Sequence, residues 1–173
     1  MTQPWSRMLA LHELARGPVT LDLEPTADER VAIARLLGLK SLAALTARVT
    51  ARPWFDGVEL TGRFRATVEQ VCGVSLDPFE QPVEGVIELR AVPAGSPHAA
   101  TEEGGEVDLD LDAPDPPDVL ENEAIDVAAY VLEHLALEID PFPRKPGVEF
   151  EYSPPAEEES PFAVLKKLKD SGS

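Results

Sequence analysis

One cysteine in 173 residues excludes an internal disulfide, and three histidines beside it fall short of the ligand set that a structural zinc takes. Aromatic residues make up only 6% of the chain, and no apolar run approaches the roughly 20 residues that span a bilayer. The N-terminal MTQPWSRMLALHELARG has neither a long apolar core nor a small-residue cleavage site. A cytoplasmic protein without membrane association is the expectation. Phosphate-binding glycine loops, dinucleotide fingerprints and nucleophile elbows are missing as well.

Two motif fragments fail on inspection. HELAR, with His12, starts like a zinc-protease helix but places Arg16 where the second histidine belongs. Asp108, Asp110 and Asp112 have the spacing of a calcium loop, yet Ala113 stands at the obligatory glycine and Val119 at the bidentate glutamate. His98 and His134 have no serine or cysteine spaced to work with them. The sequence therefore predicts no enzyme, no cofactor, no metal and no small-molecule substrate.

What the chain has in excess is negative charge, and the charge is local. Residues 1–100 carry 10 Lys and Arg against 12 Asp and Glu, whereas residues 101–159 hold Arg144 and Lys145 against 19 acids. That segment accounts for the whole net charge of −17. It repels phosphate and attracts cationic partners.

Hydrophobic periodicity predicts an α+β fold: an antiparallel β-sheet meander with two main flanking helices and a short C-terminal helix. EPTADERVAIARLLGLKS reads as a helix over 27–37, with Thr26 and Glu29 as a capping box, Gly38 as the left-handed end, and Val31, Ile33, Ala34, Leu36 and Leu37 as the apolar face. Period-two alternation follows in ALTARVTAR, with Leu45, Ala47 and Val49 inward. It recurs in VELTGRFRATVEQ, with Val58, Leu60, Phe64, Ala66 and Val68 inward and Gly62 marking a bulge or bend. After turns at PWFDG and at Asp77-Pro78-Phe79, VEGVIELRAV alternates again through Val83, Ile87, Leu89 and Ala91. EVDLDLD reads as a further strand. EAIDVAAYVLEHLALEID reads as a helix over 125–139 capped by Asp126, and PFAVLKKLKD as a short amphipathic helix. One domain is expected over 1–173, with a mobile loop near 94–105 and an acidic, proline-rich tail near 141–173.

Cys72 continues the even-numbered apolar series of its strand, so the residues predict a small buried side chain in an apolar site.

The stretch VEQVCGVSLDPFEQPVEGVIELRAV, a dispersed acidic loop, EAIDVAAYVLEHLALEIDPFPRKPG and a terminal SPFAVLKKLKD together resemble the YceD family, named for large ribosomal RNA subunit accumulation. The most specific pieces are Cys72 followed by Leu76, Pro78 and Phe79, the Ile125-Asp126 start of the long helix, and the prolines that end it. Many relatives carry a second cysteine three positions from the first and another after the helix. Here Val74, Ser75 and PFPRKPG hold none, as in the proteobacterial branch with a simplified motif. The resemblance implies a bacterial ribosome-biogenesis factor needed for synthesis, processing or stability of large-subunit (23S) rRNA, with no enzymatic activity.

Two modes of action follow. In the first, the acidic segment holds a large-subunit ribosomal protein or assembly factor through Asp108, Asp110, Asp112, Asp115 and Asp118. In the second, Arg48, Arg63, Arg65 and Arg90 converge on the polar face of the sheet and bind rRNA directly.

Overall fold

The computed structural model describes residues 3–99 and 115–151. Its order is β1 (Met8–Ala10), a 3-10 helix (Leu11–Arg16), β2 (Val19–Leu23), α1 (Ala27–Leu36), β3 (Ser41–Trp54), β4 (Gly57–Val71), β5 (Pro78–Pro93), β6 (Asp118–Leu120), β7 (Ala124–Asp126) and α2 (Val127–Glu138). The class is α+β, with a mostly antiparallel main sheet and, among the described residues, three helices. The main sheet runs β2-β3-β4-β5-β6, antiparallel except for the last pair, and β1 pairs with β7 in a small second sheet.

Alternation in the three long strands fixes which side is buried. Leu45, Ala47 and Val49 of β3, Val58, Leu60, Phe64, Ala66 and Val68 of β4, and Val83, Ile87 and Ala91 of β5 all enter one core, while Leu89 is half-buried. α2 packs on the buried side of β5 and β4, and α1 packs on β3. Trp5, Leu9 and Leu14 close the core from the N-terminal side.

Gly62 is neither bulge nor bend. It lies in unbroken register between Val49 and Ile87, and the bulge falls between Leu42 and Ala44. A Cβ on Gly62 would lie 2.9 Å from Val49 Cα, so the position is held small by close backbone approach. The hairpin turns are also displaced from their sequence signals. Pro53 and Trp54 belong to β3, and Pro78 and Phe79 belong to β5, because proline is tolerated at strand ends and edges.

The capping box of α1 forms as expected. Thr26 N–H donates to the Glu29 carboxylate at 2.7 Å, Glu29 N–H donates to Thr26 Oγ1 at 3.4 Å, and Gly38 takes φ +67°. The apolar face of α1 is narrower than expected. Ile33 and Ala34 are buried and Leu37 half-buried, but Val31 and Leu36 are 60% and 59% exposed. At 3.6 residues per turn, Val31 and Leu36 flank the Ile33–Ala34–Leu37 arc instead of lying on it.

α2 begins two residues later than its periodicity suggested, because Ile125 is spent on the β7 strand opposite Leu9. Asp126 then caps the helix. Val127, Ala128, Val131, Leu132 and Leu135 are buried, while Ala129 is half-buried and Ala136 exposed. The strand expected at EVDLDLD and the C-terminal helix lie outside the described residues. So do residues 100–105, whereas residues 94–99 make contacts with the sheet ends. Ala94 N–H donates to Leu120 O at 3.0 Å, Ser96 Oγ to Asp56 Oδ1 at 2.9 Å, and His98 stacks on Phe55 with ring centroids 4.0 Å apart.

Candidate functional site

The same alternation that buries one side of the sheet turns charge and hydroxyl outward on the other. Register pairs Asp22 with Arg48, Arg48 with Arg63, and Arg63 with Val86 across four strands. Arg65 stands two residues along β4, between Thr46 and Glu84. Three of the four arginines expected on this face are therefore neighbours. Arg90 is not among them: it sits opposite Glu59, towards the far end of β4.

Most of this positive charge is already matched. Arg48 holds Asp22 through two bonds, Nε–Oδ1 at 2.6 Å and Nη2–Oδ2 at 3.1 Å, and this pairing keeps the Asp22 carboxyl below its usual range. Arg65 Nε lies 3.3 Å from Glu84 Oε1, and Arg90 Nε 3.1 Å from Glu59 Oε1. The Arg90 guanidinium also stands 5.3 Å from the centre of the Trp54 ring. Among the described residues Arg63 has no ion pair or side-chain hydrogen bond. The exposed Val86 lies beside it.

Of the five aspartates expected to bind a partner, Asp108, Asp110 and Asp112 lie outside the described residues. Asp115 and Asp118 are exposed and line one hollow with Glu88, Leu89, Arg90 and Pro116. Asp118 belongs to β6, opposite Ala91. The neighbouring Tyr130 phenol is pushed far up, first by burial and then by the charge and hydrogen bonding of Asp118. Sequence reasoning placed Glu84 and Glu88 on the polar face as partners for the arginines, and did not group them, with Glu80, beside these aspartates. The four-residue spacing of the three glutamates around Pro82, a proline typical of an edge strand, was the available signal.

Cys72 is fully buried, but its site is not apolar, which corrects the expectation. Its Sγ accepts backbone N–H groups from Lys145 at 3.3 Å and from Val74 and Ser75 at 3.4 Å. These bonds, with that of Ser75 foremost and that of Lys145 next, bring the thiol down to about 6 from the usual 9.0. The turn after β4 thus wraps the sulfur. The chain beyond α2 seals it, with Gly73 N–H donating to Pro143 O at 2.9 Å and Lys145 Nζ 3.6 Å from Asp77. Nothing near it completes a metal site: among the described residues no three His, Cys, Asp or Glu are grouped to hold an ion. Nor, among them, is any helix long and apolar enough to cross a membrane.

Compared with known proteins, residues 60–169 match the family model described as large ribosomal RNA subunit accumulation protein YceD, a span from near the start of β4 to near the C-terminus. No curated protein and no solved structure matches.

Proposed function

The chain belongs to the YceD family, whose name assigns it a role in large ribosomal subunit RNA accumulation, and from that premise we propose that it acts as a non-enzymatic assembly factor by holding a basic protein of the large subunit. The observation that carries this reading is a run of carboxylates along β5 and β6 that, apart from Glu84, has no ion pair among the described residues, whereas on the sheet face only the separate Arg52 and Arg63 are left over. Arg48, Arg65 and Arg90 are each paired with a carboxylate on the sheet. Glu80 and Glu88, by contrast, have no side-chain partner among the described residues, and exposed Asp115 and Asp118 stand beside Glu88. A surface with surplus carboxylates steers cationic partners and disfavours phosphate.

The test is capture after nuclease treatment. Large-subunit ribosomal proteins or assembly factors are expected to remain bound to the wild-type chain. Changing Asp108, Asp110, Asp112, Asp115 and Asp118 to asparagine is expected to weaken that capture, most visibly at low salt. Loss of all protein partners on nuclease treatment would overturn the reading.

Arg63 favours a second reading, direct contact with rRNA, because among the described residues its guanidinium has no partner and it lies beside the exposed Val86. In that case the purified chain alone retards a naked rRNA fragment.

A further inference from the structure

β5 is much longer than the strand that covers its outer side. It pairs with β4 without interruption from Val58↔Ala91 to Val71↔Pro78, whereas β6 covers only Ala91 to Pro93. Two hydrogen bonds fix which backbone groups face outward. Cys72 N–H donates to Asp77 O, so odd-numbered groups at this hairpin face β4; Ala94 N–H donates to Leu120 O, so even-numbered groups face away. The register has no bulge between these points. The N–H groups of Glu80, Glu84, Val86 and Glu88 therefore lie along the outer edge, where Pro78 and Pro82 supply only carbonyls. Among the described residues no backbone or side chain beyond β6 pairs with this edge.

An open edge is a template for another strand, and the side chains here select which strand fits. The outward face of β5 carries Glu80, Pro82, Glu84, Val86 and Glu88 at alternate positions, with the acids about 13 Å apart. A second copy is disfavoured: antiparallel pairing centred on Glu84 would set Glu80 against Glu88 and Glu84 against itself, and like charges directly opposed are destabilising. Residues 101–112 of the chain, with six acids and no base, meet the same repulsion. An extended basic segment meets none. Glu84 is shared with Arg65 only through an exposed pair, which is cheap to exchange.

We propose that the outer edge of β5, from Glu80 to Glu88, binds an extended basic peptide as an added strand, with Lys or Arg opposite Glu80, Glu84 and Glu88 and an apolar residue opposite Val86. Backbone bonds supply affinity and the alternate side chains supply selection. Asp115 and Asp118 line a hollow with Glu88, on the outer side of β5 where the uncovered stretch ends, and add to the acidic track there. This rests on the reading of a basic protein partner and assigns that partner's place on the fold.

The probe is the peptide Lys-Thr-Val-Thr-Lys-Thr-Val-Thr-Lys, added to the full chain, with amide exchange read residue by residue. Exchange at Glu84, Val86 and Glu88 is expected to slow at least about tenfold, and the same peptide with N-methylated backbone amides to have no such effect. The triple change Glu80→Gln, Glu84→Gln and Glu88→Gln is expected to weaken binding about tenfold, from three cross-strand charge pairs, while protection in β3 and β4 stays as in the wild type. Three outcomes would overturn the proposal: binding without protection of those amides, equal binding of the N-methylated peptide, or protection in the free chain that rises with protein concentration, which would signal a second copy. Nuclease-resistant capture of ribosomal proteins that is indifferent to the triple change would sink the edge assignment and leave the partner reading standing. Failure of the wild type to capture any would sink the partner reading.

Discussion

Gly85 lies directly across from Phe64 in the β4–β5 register, and the Phe64 ring occupies the space that a side chain on Gly85 would need. A Cβ there would overlap the ring edge and lie 3.2 Å from Glu138 Cγ on α2. The pair therefore sets how closely α2 approaches the sheet. Gly85→Ala is expected to destabilise the domain by about 1–3 kcal/mol through overpacking. In the double change with Phe64→Leu, the combined loss should be smaller than the sum of the two single losses. Denaturant midpoints at constant slope decide it, and simple additivity would show that the ring is not the obstacle.

Asp126 joins the segment that leads into β1 to the first turn of α2. Its Oδ1 accepts N–H bonds from Arg7 at 2.8 Å, Ala128 at 3.2 Å and Ala129 at 3.3 Å. Asp126→Ala is expected to lower stability by about 1–2 kcal/mol, and Asp126→Asn to recover much of the loss, since the amide oxygen still accepts. Thermal unfolding of the three chains measures this. An effect of less than half a kilocalorie for the alanine would mean that the cap is redundant.

The Cys72 site makes stability depend on pH with a definite sign. The folded thiol titrates near 6, below its usual 9.0, because N–H groups of Ser75 and Lys145 stabilise the thiolate. A depressed folded value contributes stability that is fully present above the unfolded value near 9 and is lost as pH falls through about 6. The wild type should therefore gain on Cys72→Ala steadily between pH 6 and pH 9, with the difference flat outside that window. Cys72→Ser, which keeps an acceptor but does not ionise, should show no such slope. A thiolate absorbance titration centred near 9 would contradict the mechanism.

Arg63 and Arg48 occupy facing positions, yet among the described residues only Arg48 is engaged, by Asp22. If rRNA is contacted through this face, Arg63→Ala should weaken binding of a naked rRNA fragment and reduce the salt slope by roughly one. Folding stability should stay within about 0.5 kcal/mol of the wild type. Under the protein-partner reading the fragment binds weakly and the substitution leaves gel mobility unchanged.

Much of this arrangement was legible in the residues because local rules and global packing agreed. Thr26, Glu29 and Gly38 mark α1, Asp126 caps α2, and the alternation from Val58 to Val68 announces its buried side. Failures came where tertiary partners override local pattern. Ile125 fits a helical period but pairs with Leu9 as a strand, and Leu9 is more than a hundred residues away in sequence. Val31 and Leu36 are apolar yet exposed, since only a narrow arc of α1 reaches β3. The Cys72 site draws one of its three N–H donors from Lys145, whose backbone arrives only after α2, and the other two from the turn that folds back at Val74 and Ser75. The open edge of β5 was hidden for a different reason: a strand's own sequence does not say where its neighbour stops.

The bond from Ala94 to Leu120 and the short β5–β6 pairing hold two chain positions side by side regardless of what connects them. In polymer terms the closure is made by the clasp, and the entropy of the closed loop grows only with the logarithm of its length. Doubling the connection costs about 0.6 kcal/mol. Lengthening the connection between Ala94 and Leu120 should thus leave the melting temperature nearly unchanged. The clasp makes that connection a grafting point through which the protein can be tagged while its sheet stays intact.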